Sequence, residues 1–221
     1  MEENNSRHII QTADGSPTIY VPALKEHYHS IHGSVTESEH IFIKYGLELI
    51  LNNNNKINNI LEFGLGTGLN LFLTLESAGG VPIYYHSLEK YPLSMEEVHS
   101  LKESLSHYPF YDEIHLAPWE TDVHLTNQFV LRKDMVDFRD FVPQKKYHLI
   151  YFDAFAPEIQ PKLWEQCVFE RIFKNMHHGG VLVTYCAKGQ VKRNLKAAGF
   201  KIERLPGPPG KREITRAWKE L

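Results

Sequence analysis

Cysteine is scarce in this chain: Cys167 and Cys186 are the only two in 221 residues, and they stand far apart. That excludes a C-x-x-C redox pair, a thiolate zinc knuckle and a disulfide framework, and two buried thiols are the expectation. Long apolar runs are missing as well. No stretch approaches the roughly eighteen uninterrupted apolar residues of a membrane helix, and the opening MEENNSRHII lacks the apolar segment of a secretion signal. A cytoplasmic location without a membrane partner is therefore expected. The histidines are plentiful but show no H-E-x-x-H or comparable ligand spacing, so no metal is expected. What the chain does have is an ordinary globular composition, 42% hydrophobic and 23% charged, which excludes disordered, collagen-like and coiled-coil chains. The length suits one α/β domain over 1–221, with an N-terminal extension over 1–52 and a Rossmann-like core over 53–221.

The net charge of −3 is unevenly spread. Residues 188–221 carry ten basic and three acidic side chains, whereas residues 1–187 carry fourteen basic and twenty-four acidic ones. A basic end on an acidic body points either to a polyanionic partner on one face or to a solvated helix face.

Apolar runs alternate with helical periodicity, the pattern of βαβ units around a mostly parallel sheet. Strands are predicted over 57–63, 83–88, 127–132, 147–152 and 181–185, and a closing antiparallel hairpin over 201–205 and 214–218 around the turn 206–210. Helices are predicted over 37–51, 69–76, 94–104, 161–176 and 190–198, with a short one over 138–141. Ser94 and Glu97 have the spacing of a capping box. Gly179 and Gly180 are read as the end of the 161–176 helix, 52–55 as a loop, and 108–126 as irregular or partly helical. The segment before Glu37 has two open placements, a lid over a ligand or a support beneath the core.

The strongest local signal is Glu62-Phe63-Gly64-Leu65-Gly66-Thr67-Gly68-Leu69-Asn70, where a strand passes into a helix. Glycines there permit a tight turn and close ligand approach, and the helix start offers free N–H groups. The G-x-G-x-G spacing differs from the G-x-G-x-x-G that seats a pyrophosphate. Glu62 would repel a diphosphate but suits the ammonium end of an amino-acid-like ligand, which makes S-adenosylmethionine the expected cofactor. Glu89, twenty-one residues after Gly68, stands where a carboxylate meets ribose hydroxyls. Asp134 is placed to receive an adenine amine and Met135 to pack on the ring, or the two are a surface turn and a core filler. The candidate cofactor set is thus Glu62, Gly64, Leu65, Gly66, Thr67, Gly68, Asn70, Glu89, Lys90, Asp134, Met135 and Asp153.

Asp153-Ala154-Phe155-Ala156-Pro157 follows the fourth core strand, where ligand crevices open in α/β sheets. Asp153 and Phe155 are the candidate catalytic residues, the first facing the methyl donor and the second forming an aromatic wall. The competing reading makes Asp153 a helix cap and Phe155 a core residue. Lys192, Arg193 and Lys196, with Lys211 and Arg212 after the Pro-Pro-Gly turn, are candidate phosphate contacts, and Tyr185 or Phe155 is a candidate stacking surface for a base.

Together, the segment 63–70, the turn Leu88-Glu89-Lys90-Tyr91-Pro92-Leu93, the segment 153–157 and Gly210-Lys211-Arg212-Glu213 resemble the methyltransferase half of the MnmC family over about residues 32–216. The resemblance implies a class I S-adenosylmethionine-dependent methyltransferase fold, a seven-stranded sheet with an antiparallel last strand. It also implies an activity: methylation of 5-aminomethyl-2-thiouridine at the tRNA wobble position to 5-methylaminomethyl-2-thiouridine. Ala154 departs from the family's D-G-F-A-P-like segment. The chain is too short to hold the family's flavin-dependent oxidase half, so a stand-alone methyltransferase is expected, functionally linked to a separate wobble-uridine modification enzyme. Methylation of a small amine and a non-catalytic RNA-binding module are the alternatives; Glu62 and the glycine spacing speak against a nicotinamide dehydrogenase.

Overall fold

Side chains along a strand point to opposite faces in turn, so a strand apolar at every position needs cover on both sides. The computed structural model of the chain describes residues 7–51 and 58–220. The expected loop over 52–55 and the first residue of the expected 57–63 strand lie outside them.

Strands β1 (His8–Gln11), β2 (Pro17–Val21) and β3 (Glu26–His27) form a small antiparallel sheet. A continuous helical segment follows, α1 (Ser34–Ser38), a π-helical stretch Glu39–Leu47, and α2 (Glu48–Leu51). Next come β4 (Asn58–Phe63), α3 (Leu69–Ser77), β5 (Ile83–Glu89), α4 (Met95–Leu105), α5 (Tyr111–Leu116), β6 (Asp122–His124) and β7 (Phe129–Met135). The rest is β8 (Tyr147–Phe152), a 3-10 turn Pro161–Trp164, α6 (Gln166–Lys174), β9 (Met176–Thr184), α7 (Gly189–Ala197), β10 (Lys201–Pro206) and β11 (Glu213–Trp218).

The main sheet runs β10-β11-β9-β8-β4-β5-β7-β6. Strands β7, β5, β4, β8 and β9 are parallel, and β11 is antiparallel to both β9 and β10. This is the expected seven-stranded class I arrangement with an eighth strand, β6, added antiparallel on the outer edge. The two faces carry separate cores. In β8, Leu149 and Tyr151 pack with Ile41, Phe42 and Phe72 of one layer, while Ile150 and Phe152 pack with Trp164, Phe169 and Leu195 of the other.

Several local expectations are corrected. The 161–176 helix is split, because Glu165 takes an extended conformation between the 3-10 turn and α6. Gly179 and Gly180 do not end it; they form an irregularity inside β9, where Gly179 donates to the Lys219 carbonyl and Gly180 accepts from Lys219. Residues 138–141 form turns rather than a helix, with Phe138 and Phe141 buried. Strand β7 runs on to Met135, and the stretch 108–126 contains α5 and β6. Cys186 is buried as expected, but Cys167 is exposed. No helix among the described residues is long and apolar enough to cross a membrane.

Candidate active site

The parallel strands end their carboxyl edges around one cavity of about 600 Å³, within the roughly 300–1,000 Å³ of small-molecule sites. Its first wall is the glycine-rich turn after β4. Gly64 has φ +99°, and a Cβ there would stand 2.9 Å from the Asp153 carbonyl oxygen; at Gly66 (φ +53°) a Cβ would stand 3.0 Å from the Tyr28 ring. Only glycine lets this turn lie so close to both neighbours.

Glu89 closes β5 on the cavity wall, its Oε2 accepting the Gly66 N–H at 3.2 Å and its Oε1 the Tyr91 N–H at 2.8 Å. Further along the same wall lie Asp137 and Phe138. Asp137 accepts from Lys90 at 2.8 Å and from Arg139, and these partners hold its carboxyl well below the usual range. Phe138 packs edge-on against Phe63 of β4.

Asp153 lies on the opposite side, directly after β8. Asn70, in the first turn of α3, donates from Nδ2 to its Oδ2 at 2.9 Å. Burial, with the nearby Glu37 carboxylate, pushes the Asp153 carboxyl up to about 7. Phe155 meets the Tyr28 ring edge-on at 5.4 Å, and Tyr185 donates its hydroxyl to the Ala154 carbonyl at 2.8 Å. Both rings line the cavity.

The segment after β3 roofs this space. Tyr28, His29, Ser30 and Ile31 line the cavity. His29 shares a hydrogen bond of 3.1 Å with Thr67 in the glycine-rich turn, and burial holds its imidazole down at about 4. The N-terminal segment takes part in both placements left open for it: residues 26–31 line the cavity, while Ile19 of β2 packs into the core.

Residues 94–220, more than half of the chain, match the family model for S-adenosyl-L-methionine-dependent methyltransferases. The chain belongs to that family. Its cofactor is S-adenosylmethionine, and it is a methyltransferase. Among curated relatives, the tRNA 5-methylaminomethyl-2-thiouridine biosynthesis bifunctional protein MnmC of Leptospira interrogans is 30% identical over 204 residues, covering 85% of this chain and 31% of that protein. The MnmC of Cupriavidus necator is 28% identical over 221 residues, 93% of this chain and 33% of that one. The chain thus spans about a third of the length of these relatives. The solved MnmC2 of Aquifex aeolicus superposes with a TM-score of 0.80 at 24% identity, covering all of this chain and 72% of that one, and shows the same fold. The MnmC resemblance carried by the motifs therefore extends over most of the chain.

Of the residues expected to hold the cofactor of this methyltransferase, Gly64, Gly66, Glu89, Lys90 and Asp153 line the cavity. Glu62, Leu65, Thr67 and Asn70 lie in the buried layer beneath it, and Gly68 begins α3. Glu62 is fully buried, with Oε2 accepting from the Ser87 hydroxyl at 2.6 Å and Oε1 unpartnered among the described residues. Asp134 and Met135 are corrections. Neither lines the cavity: Asp134 is engaged by His86 at 2.9 Å and Arg132 at 2.8 Å, and Met135 is exposed at the strand end. The carboxylate and ring at that end are Asp137 and Phe138, three residues later in each case.

The basic candidates also separate. Lys192 is buried in an ion pair with Glu213, and Lys211 turns into the cavity and pairs with Glu37, so neither is a free phosphate contact. Arg193, Lys196 and Arg212 are exposed. Asp153 and Phe155 are neither helix cap nor core: one is held by Asn70 and both face the cavity. Sequence reasoning missed Tyr28, His29, Glu37, Asp137 and Phe138. The first three sit outside the βαβ pattern, and only an aromatic–carboxylate pair just past a strand end signalled the last two. No metal-ligating cluster is found among the described residues.

Proposed function

We propose that this chain transfers a methyl group to the primary amine of 5-aminomethyl-2-thiouridine at the wobble position of tRNA, giving 5-methylaminomethyl-2-thiouridine. The observation that carries the reading is Asp153, a carboxylate of raised proton affinity fixed by Asn70 on a cavity walled by Phe155, Tyr28 and Tyr185. The relatives named for this wobble-base biosynthesis support the choice of acceptor.

The cavity fits the cofactor. The Glu89 carboxylate, already anchored by two backbone N–H groups, keeps lone pairs for two ribose hydroxyls. The glycine-rich turn offers a close-approach surface, and Phe138 gives a flat ring beside Asp137. Glu62 and Asn70, buried next to the glycine-rich turn, each keep an oxygen without a hydrogen-bond partner among the described residues, and these are the acceptors assigned to the amino-acid end. Bound there, S-adenosylmethionine supplies an electrophilic methyl group on a sulfonium.

The residues of the chain then have two tasks. They align the amine, since collinear displacement depends on positioning, and they take its proton. An alkyl amine holds its proton to a pH of about 10, so the attacking nitrogen must be relieved of it. Asp153 Oδ accepts that proton more readily than an ordinary carboxylate because burial raises its affinity to about 7. Phe155 offers an aromatic surface for the turned-out uracil. Arg193, Lys196 and Arg212 are the phosphate contacts, and a separate enzyme supplies the aminomethyl group.

The test is incubation with labelled methyl donor and tRNA from cells lacking the wobble methylation step, followed by nucleoside analysis. Label in 5-methylaminomethyl-2-thiouridine is expected; label only in free amines overturns the tRNA assignment. Asp153→Asn should lower kcat by about 10²–10⁴ while donor affinity, read by calorimetry, stays close to wild type. The sign of the pH effect follows from the base role: below about 7 Asp153 is already protonated, so kcat falls toward acid.

A further inference from the structure

Lys211 is out of place for a residue expected to grip RNA. It sits in the loop between β10 and β11, yet its Nζ points into the cavity, 4.4 Å from the centre of the Tyr185 ring and paired with Glu37 Oε1. Glu37 is held from its other oxygen, which accepts the Ser30 N–H at 2.9 Å. The ammonium is therefore fixed by a carboxylate from α1, a ring from the end of β9 and a backbone that presses Gly210 against His32.

We infer that Lys211 is a positioning residue for methyl transfer: its ammonium neutralises Glu37 and leaves Asp153 as the one carboxylate that takes the acceptor's proton. The chemistry behind this is simple. Two uncompensated carboxylates facing a primary amine would hold it as an ammonium ion, which has no lone pair for attack. With Lys211 in place, Glu37 is spent on an internal pair, and the amine loses its proton to Asp153. The two charges act on Asp153 in opposite directions, Glu37 favouring its proton and Lys211 opposing it.

Two further groups interact with the Asp153 charge: Glu62 of β4, pushed up to about 8 by burial and so protonated near pH 7, and Tyr85 of β5, whose phenol burial also pushes up. His29 of the roof is neutral near pH 7, because burial, with a smaller contribution from Lys211, outweighs the opposing pull of Glu37 on its proton affinity. Tyr185 and Cys186, at the end of β9, are both pushed up by burial and keep their protons. Glu26, in the roof, acts on Tyr185.

This inference rests on the amine-acceptor reading, and its test separates the two. Carboxyl carbon-13 NMR titration of Asp153 needs no substrate. Lys211→Met should move the Asp153 midpoint up by about one to two pH units, and Lys211→Arg should leave it near wild type. Glu37→Gln alone should move it down, and the double variant Glu37→Gln with Lys211→Met should bring it back. On undermodified tRNA, Lys211→Met should shift the acid limb of kcat upward by a similar amount, with KM for the methyl donor changing less than about twofold. An unmoved midpoint in Lys211→Met, or a double variant that stays displaced with the single, overturns the inference. Should Lys211→Met fail to fold, the downward shift in Glu37→Gln decides it, and a midpoint that stays or rises there overturns it. A wild-type chain inert on tRNA overturns the function proposed above and leaves the NMR result to judge Lys211.

Discussion

Glu62 has no exposed surface, and its carboxyl is pushed up to about 8, first by burial and then by the Asp153 charge, against the hydrogen bond from Ser87. Between the unfolded value near 4.5 and about 8 the folded chain binds the proton that the unfolded chain has released. Stability contributed by this group is therefore complete at acid pH and is lost as pH rises through that window, with a slope of at most about 1.4 kcal/mol per pH unit. Glu62→Gln keeps the shape and removes the titration. Its melting temperature should fall less between pH 5 and pH 9 than that of the wild type, and parallel falls would show Glu62 ionised throughout. Lys133 presents a contrasting case. It is buried, donates to the carbonyls of Ile114 and His115 at the end of α5, and lies over the Trp119 ring. In the sequence it is one lysine in a strand, because nothing local announces a helix end that arrives from nineteen residues away.

At the level of elements, short-range rules were reliable where the partners are neighbours. Ser94 caps α4 as expected, accepting from the Glu97 N–H at 3.2 Å while Glu97 accepts from the Ser94 N–H at 2.7 Å. Ser94→Ala should cost about 1 kcal/mol in urea denaturation, since one helix N–H loses its acceptor. The short elements β6 and α5 were not legible. Strand β6 exists only because β7 offers it an edge, and α5 begins after Phe110, whose left-handed conformation no residue pattern marks. The break at Glu165 was also invisible, as the side chains from 161 to 176 have helical periodicity on both sides of it.

At the scale of the molecule, the N-terminal segment is fastened over the cavity from a distance. Arg7 makes a two-pronged pair with Glu97 at 2.6 Å, donates to the carbonyls of Tyr91 and Pro92, and donates to the Tyr28 hydroxyl at 3.0 Å. It thus ties the roof to the loop that follows Glu89. Arg7→Ala should weaken methyl-donor binding by about tenfold in calorimetry, the scale of one or two lost charge-assisted hydrogen bonds, with little change in melting temperature. A Kd equal to wild type would show that the roof holds its place without this residue. The basic C-terminal region is likewise a whole-molecule property. Its charge excess left a polyanion-binding face and a solvated helix face both open; Lys188, Lys192, Lys201, Lys211 and Arg216 are engaged by Glu158, Glu213, Glu220, Glu37 and Glu203, and of the candidate contacts Arg193, Lys196 and Arg212 stay exposed.

The amino-acid sequence by itself determined the parallel core, the glycine-rich turn, the carboxylate at the end of β5 and the Asp153–Phe155 segment. Each is written in apolar alternation or in spacing within a few residues, and backbone sterics act at that range. Tertiary structure alone decided which charges are already satisfied. Asp134 pairs with His86 and Arg132 away from the cavity, Asp137 pairs with Lys90 and Arg139 on its wall, and Lys211 is drawn inward by Glu37 from 174 residues away. Electrostatic partners are set by distance in space, and the chain carries no local record of which distant carboxylate the fold will bring beside a given lysine.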